Sequence, residues 1–218
     1  MRITPPHADP REAAPTVALH PGALVIDLMQ PRRVLSSAPF GGGLVMSRYL
    51  VNSTVPGDFD GDVDTTIHAV LDRHGLAGKA VTCALTAVKV EHYRHARAVE
   101  EDVCATVYVT AGLSNLAAPG LSPLVPALPG TINVFALVAA DLPDAALVET
   151  VQIITEVKAR RLAGRLTPDG HPATGTSTDT VTVALLPGPS HAYAGAVTPV
   201  GRALARACDA ALMLALPS

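Results

Sequence analysis

Residues 17–51 read VALHPGALVIDLMQPRRVLSSAPFGGGLVMSRYLV, and this stretch decides the fold class. Short apolar runs rich in Val, Leu and Ile alternate with turn formers. Residues 17–19 and 23–28 read as strands joined by the turn His20-Pro21-Gly22. Residues 33–37 read as a third strand after Gln30-Pro31. Gly41-Gly42-Gly43 then breaks the chain before a further strand over 44–51, which ends near Asn52. Strands this close, joined by turns this short, favour antiparallel pairing.

Downstream, strands alternate with helices. Residues 62–74 carry Val63, Ile67, Val70 and Leu71 on one helical face, with Asp62 or Asp64 as a cap and Gly75 as a stop. Residues 80–88, 103–110 and 131–139 read as strands, and the charged segment 91–101 as a short helix. Residues 115–129 form a Pro/Gly/Ala loop. Residues 143–162 give the longest helix, with Pro143 in its first turn. A Gly/Pro/Thr loop over 164–178, a strand over 179–186 and a final helix over 199–216 complete the chain. The expected architecture is α/β (α+β-like): one domain over 17–218, a mixed β-sheet with an antiparallel N-terminal meander and helices packed on it. The polar, Pro-rich residues 1–16 read as a flexible tail.

Composition narrows the function. The 218 residues are 49% apolar but only 3% aromatic, with no Trp, so the core rests on Val, Leu, Ile and Ala. The net charge is −3, with 19 acidic and 16 basic residues and no basic face for phosphates. With few aromatics to stack bases, nucleic acid is not an expected partner. No apolar run reaches the ~18–20 residues of a membrane span. The N-terminus lacks the basic start and apolar stretch of a secretory signal. Cys83, Cys104 and Cys208 are odd in number and far apart, which suits free thiols in a reducing cytoplasm.

The candidate chemistry lies in small polar clusters at strand ends. Thr174-Gly175-Thr176-Ser177-Thr178-Asp179 brings four hydroxyls, a glycine and a carboxylate to the mouth of an apolar strand. Thr110-Ala111-Gly112-Leu113-Ser114-Asn115 follows one strand, and Gly130-Thr131-Ile132-Asn133 opens the next. An Asn amide can donate to an oxyanion, although a lone Asn more often satisfies turn backbone. Gly41, Gly42 and Gly43 would let a ligand approach the backbone closely, or form a plain turn. They lack the spacing of a dinucleotide fingerprint. Glu156 and Lys158, two apart in the long helix, face different ways and do not pair with each other. Glu156 is an acid or base if it faces the sheet edge, and otherwise an ordinary surface charge. His92 and His95 have i, i+3 spacing without a completing ligand, so no metal site is expected. His171 in the loop before the hexapeptide is a candidate acid/base. No Gly-x-Ser-x-Gly elbow, phosphate loop or His-Glu-x-x-His occurs.

One family carries these pieces in this order. Leu35-Ser36-Ser37-Ala38-Pro39, Gly41-Gly42-Gly43, Asn52, Thr86-Ala87 and the clusters ending at Asn115 and Asn133 come first. Thr155-Glu156-Val157-Lys158, the hexapeptide, Tyr193-Ala194-Gly195, Thr198 and Gly201-Arg202 follow. Together they resemble adenosylcobinamide amidohydrolases over nearly the whole chain. Val157 replaces the usual Ala, and Arg160 and Arg161 replace small residues.

The resemblance implies a corrinoid-salvage hydrolase. It would cleave the amide joining aminopropanol to adenosylcobinamide, giving adenosylcobyric acid and 1-amino-2-propanol, and some members also act on adenosylpseudocobalamin. The substrate is itself a cobalt corrinoid, and no separate cofactor is implied. Homo-oligomer formation is left open.

Amide hydrolysis requires a nucleophile, an oxyanion donor and an acid for the leaving amine. On the residues alone, Asp179 or Glu156 is the base. Asn133, Asn115 or hexapeptide N–H groups stabilise the oxyanion, and Lys158 or His171 protonates the amine. Thr176, Ser177 or Thr178 as an acylated nucleophile is the rival. Gly41, Gly42, Gly43, Asn52, Thr110, Asn115, Thr131, Thr174, Gly175, Thr176, Ser177 and Thr178 are the expected substrate contacts. A corrinoid carrier without turnover, or an amidohydrolase for another substrate, would share these clusters.

Overall fold

The computed structural model describes residues 14–124 and 130–217. Most of the expected tail (1–13) and part of the expected loop (125–129) therefore lie outside the described residues. The N-terminal hairpin pairs β1 (Thr16–His20) with β2 (Ala23–Ser36), and β3 (Gly43–Thr54) pairs antiparallel on the other side of β2. Next come α1 (Val63–Arg73), β4 (Val81–Thr86), a 3-10 turn (Val90–His92), β5 (Arg94–Glu100) and β6 (Val103–Ala111). They are followed by β7 (Leu116–Ala117), β8 (Ile132–Asp141), α2 (Asp144–Arg161), β9 (Gly175–Thr176), β10 (Thr180–Ser190) and α3 (Pro199–Ala215). The large sheet runs β4-β3-β2-β10-β8-β6-β5, with β1 beside β2. The β3–β4 and β8–β10 pairs are parallel and the rest antiparallel, so the sheet is mixed as expected.

Two expected elements differ. The strands read at 23–28 and 33–37 are one strand, β2, carried through Gln30-Pro31 by a bulge. Met29 takes φ +67°, and the register with β3 shifts between Asp27 and Arg32. A bulge is one of the few places where a strand tolerates a proline, because the ladder is already interrupted there. Asp27 pins it: its carboxylate accepts from the Met29 N–H at 2.7 Å and from two Arg48 nitrogens at 2.9 Å each. The Arg48 hydrogen bond is the main reason the Asp27 carboxyl sits below its ordinary range.

The segment 91–101 is not a helix but the 3-10 turn followed by edge strand β5. Its period is two, not 3.6. Ala96, Ala98 and Glu100 turn toward α3, where Glu100 meets Arg202 and Arg206. The alternate positions His95, Arg97 and Val99 face outward, with Arg97 placing a charge on the edge strand. The helical spacing of His92 and His95 is thereby lost, and His95 stacks between Tyr93 and Tyr108. Smaller differences occur elsewhere. Pro143 caps α2 rather than entering it, and the Gly/Pro/Thr loop contains β9, which pairs with β7.

Helices cover the outer faces of the sheet. In α3, Val200, Ala203, Leu204, Ala207, Cys208, Ala211 and Leu212 form one apolar stripe at i, i+3, i+4 spacing. The stripe packs with Val103, Ala105, Val107 and Val109 of β6. Helix α2 adds Leu147, Ile153, Ile154 and Val157 to the same core. At the other end of the sheet, Ile67, Val70 and Leu71 of α1 pack with Val25, Val51 and Cys83.

The inner face closes on itself. Ile26, Leu28, Leu50 and Ala84 from β2, β3 and β4 share one cluster with Phe135, Leu137 and Ala184 from β8 and β10. The sheet thus bends back across β2, and its two ends face each other. Polar groups span the same gap at one end. Asn133 Nδ2 donates to Asn52 Oδ1 at 2.8 Å and to the Leu85 carbonyl at 2.9 Å, and Asn52 Nδ2 donates to Thr110 Oγ1 at 2.9 Å. Thr131 and Thr180 donate to Asn133 Oδ1 at 3.1 and 2.9 Å. Asn133 is fully buried, and its amide is saturated on both sides. Among the described residues, no helix is long and apolar enough to cross a membrane.

Asn133→Ala leaves Asn52 Oδ1 and the Leu85 carbonyl without their donor. At about 1–3 kcal/mol per orphaned group, it should lower unfolding free energy by roughly 2–6 kcal/mol in denaturant titration. Burial pushes the Cys83 and Cys208 thiols up to about 12, so neither is nucleophilic near neutral pH. A thiol reagent applied to the folded protein should modify only the half-buried Cys104, with the other two reacting after denaturation.

Candidate active site

The polar clusters meet where β8 and β10 begin and β4 ends. A cleft of about 490 Å³ opens there, lined by Ser37, Thr86, Thr131, Thr178, Asp179 and Thr180 on its polar side. Pro39, Val55, Phe59, Val63 and Leu85 supply apolar wall, and Asp60, Gly61, Ala87 and Gly130 complete it. That volume lies within the range of about 300–1,000 Å³ usual for small-molecule sites.

Asp179 is the hub of this end of the molecule. Its Oδ1 accepts from the Ile132 N–H at 2.9 Å and from the Thr176 hydroxyl. Its Oδ2 accepts from the Thr176 N–H at 3.0 Å and from Lys158 Nζ at 2.5 Å. A carboxylate offers about four acceptor positions, and here all four are filled. The Lys158 and Asp179 side chains are each only 10% exposed, so this ion pair is buried. Lys158 reaches it from the last turn of α2, next to Val157, which packs in the core.

The backbone is shaped around that pair. A Cβ on Gly175 would lie 2.4 Å from Asp179 Oδ2 and 3.0 Å from Lys158 Nζ, so only glycine lets the pair close over the chain. Residues 176–179 then turn, and Asp179 reaches back to Thr176. The next strand begins at Thr180. The turn is held from two further sides. Thr131 Oγ1 donates to the Thr178 carbonyl at 2.8 Å, and Asn115 Nδ2 donates to Ser177 Oγ at 2.7 Å. The Ser177 N–H donates to the Asn115 carbonyl at 3.3 Å. The N–H groups of Thr178 and Asp179 make no hydrogen bond among the described residues, and both residues line the cleft. Two successive unspent donors within a turn are an arrangement that can cradle an anion.

The other sequence candidates divide. Thr131, Thr178 and Asp179 line the cleft, and Thr176 and Gly175 lie against the Asp179 carboxylate, next to that lining rather than in it. Asn52, Thr110 and Asn133 lie beneath it as the buried bridge between the sheet ends. Thr174 is exposed, its N–H donating to the Ala117 carbonyl at 3.1 Å. Gly41 and Gly42 do not line the cleft. Their missing side chains make room for backbone instead, since a Cβ would sit 2.1 Å from the Val81 carbonyl oxygen and 2.3 Å from that of Ala38. Gly43, at φ +87°, starts β3 facing open space. Glu156 is exposed on α2 while Lys158 is buried. The His171 ring lies 3.4 Å from Asp169, outside the cleft lining.

The structure adds Phe59 and Asp60, in the loop before α1, and Thr180 at the start of β10. Phe59 carried a signal in the sequence: an aromatic within a Gly/Asp-rich loop of an aromatic-poor chain. Asp60 and Thr180 carried none.

The sequence profile of the adenosylcobinamide amidohydrolase family matches residues 10–218. The chain belongs to this family. Membership makes it a hydrolase acting on an amide bond, and it supports adenosylcobinamide amidohydrolase activity. An adenosylcobinamide amidohydrolase of Halobacterium salinarum is 39% identical over 202 residues, covering 87% of this chain and 81% of the relative. Two solved structures share the fold. The PH0078 protein of Pyrococcus horikoshii has a TM-score of 0.50 and 9% identity, with 92% of this chain and 78% of that one covered. A Burkholderia β-aminopeptidase has a TM-score of 0.50 and 14% identity, with 89% and 78% covered.

Removing one partner from the Lys158–Asp179 pair strands a buried charge. Lys158→Met should therefore cost about 3–5 kcal/mol of stability. In a double-mutant cycle with Asp179→Asn, the combined loss should fall short of the sum by about 0.5–3 kcal/mol. Additive losses measured by denaturant unfolding would show that the two groups are not coupled.

Proposed function

We propose that the cleft at Asp179 binds the aminopropanol-bearing arm of adenosylcobinamide and hydrolyses its amide. The products are adenosylcobyric acid and 1-amino-2-propanol, which places the reaction in corrinoid salvage toward cobalamin. The observation that carries this reading is a single cleft lined by Asp179, whose carboxylate is held by buried Lys158, and by Thr178, with the N–H groups of both lining residues unspent.

A corrin ring with its cobalt and adenosyl group is larger than the cleft. The arm would therefore enter it while the ring lies across the mouth, where Phe59 and Pro39 offer apolar surface and the hydroxyls of Ser37, Thr86 and Thr178 offer partners to peripheral amides. In this reading the Thr178 and Asp179 N–H groups receive the oxyanion as the carbonyl becomes tetrahedral. Asp179 accepts the proton of the attacking group, and the Asp179–Lys158 pair returns one to the departing amine. As Asp179 is protonated, negative charge moves from its carboxylate to the carbonyl oxygen. Asn133, with both amide hydrogens engaged, holds the scaffold, and the reading assigns no step to Glu156 or His171. Adenosylpseudocobalamin, which carries the same kind of arm, is a second candidate substrate.

Incubation with adenosylcobinamide followed by chromatography tests the reading. It predicts free 1-amino-2-propanol and a corrinoid that has gained one carboxylate. A bound corrinoid with no released amine would instead mark a carrier. No affinity for corrinoids would point to an amidohydrolase of another substrate.

A further inference from the structure

The proposed function leaves the attacking atom unnamed, and the hydroxyls around the cleft are not equivalent. Thr180 directs its hydroxyl to Asn133 Oδ1, and Thr131 shares its single hydroxyl proton between Asn133 Oδ1 and the Thr178 carbonyl. Ser177 Oγ is engaged by Asn115 and has no carboxylate beside it. Thr178 lines the cleft, and its hydroxyl has no acceptor for its proton among the described residues. Thr176 differs from all of these. Its hydroxyl donates to Asp179 Oδ1, while Lys158 holds the other oxygen of the same carboxylate at 2.5 Å. A hydroxyl on a base that is itself oriented by a third group is the arrangement that activates a nucleophile.

The surroundings fit that role. Thr176 is half-buried, at the end of β9, and its hydroxyl meets the cleft through the Asp179 carboxylate that lines it. Its own N–H donates to Asp179 Oδ2 at 3.0 Å, so backbone and side chain are both fixed against the carboxylate. Gly175 before it makes room for the pair. The free N–H groups of Thr178 and Asp179 lie two and three residues further on, within the same turn.

Resting on the proposed function, we infer that Thr176 is the nucleophile and that the reaction runs through an acyl-enzyme. Thr176 Oγ1 attacks the amide carbonyl carbon as its proton passes to Asp179. The C–N bond breaks, and that proton leaves on the amine, giving free aminopropanol and a corrinoid ester on Thr176. Water then gives its proton to Asp179 and attacks the ester. The Oγ1–C bond breaks, Thr176 recovers a proton, and the corrinoid departs as the carboxylic acid. No oxidant, reductant or further reactant is needed.

The test combines variants with trapping in the full chain, using adenosylcobinamide as substrate. Thr176→Ala should lower kcat by about 10³-fold or more with KM within a few-fold, while Thr176→Ser should keep a measurable fraction of turnover. Ser177→Ala and Thr178→Ala should keep kcat within tenfold of the parent, with a raised KM for Thr178→Ala, whose hydroxyl is a proposed substrate contact. Acid-quenched parent enzyme should carry the corrinoid acyl mass on the peptide containing Thr176, and added hydroxylamine should yield the corrinoid hydroxamate. Turnover by Thr176→Ala within tenfold of the parent would overturn the inference. So would a dead Thr176→Ala variant when the parent gives neither adduct nor hydroxamate, since Thr176 would then only position Asp179. Aminopropanol release by the parent separates these outcomes from failure of the functional reading itself.

Discussion

The carboxylate of Asp179 is the constraint on which this end of the molecule depends. It joins the first residue of β8, a turn and the last turn of α2 through four hydrogen bonds, one from a buried lysine. Together the four bonds fix three pieces of backbone. The Ile132 bond sets where β8 starts relative to β10, and the Thr176 bonds close the turn. The Lys158 bond ties the helical layer to the sheet. A charge this deeply placed is tolerable only because every acceptor position is filled. The same saturation makes Asp179 suited to exchange protons with a group already bound to it, first the Thr176 hydroxyl and then the water that takes its place.

Beneath this hub, Asn133 and Asn52 set the distance between the two ends of the bent sheet. Most of the inner face is closed by apolar contact, which is non-directional and would permit sliding. Two amides with fixed donor and acceptor sides remove that freedom. Their bridge lies directly under the cleft, so the floor of the site is rigid while its rim is made of turns and short strands.

Much of the architecture was legible in the sequence because its signals are local. The α3 stripe from Val200 to Leu212, the cap at Asp62 and the buried run of β6 each follow from spacing alone. The misreadings came where tertiary context overrode local signals. Pro31 looks like a strand break, yet the Arg48–Asp27 contact and the bulge at Met29 carry β2 through it. The charged segment over 91–101 looks helical until Glu100 is seen to face Arg202 and Arg206 across the α3 contact. In the site, the hexapeptide stood out by composition, and Lys158 by its place in the long helix. The sequence could not show that Lys158 points in while Glu156 points out, because that depends on how α2 rotates against the sheet. It could not show that Asn52 and Asn133, 81 residues apart, touch each other rather than a substrate. The glycines at 41 and 42 were misleading for a related reason, since the close approach they permit is to the chain itself.

The most direct test of the account is a crystal structure of the Asp179→Asn variant with uncleaved adenosylcobinamide. The account predicts the carbonyl carbon of the aminopropanol amide about 3–3.5 Å from Thr176 Oγ1. It also predicts the carbonyl oxygen about 3 Å from the Thr178 and Asn-substituted 179 N–H groups. An amide bound away from this turn, with its carbonyl facing Glu156 or His171 instead, would contradict it.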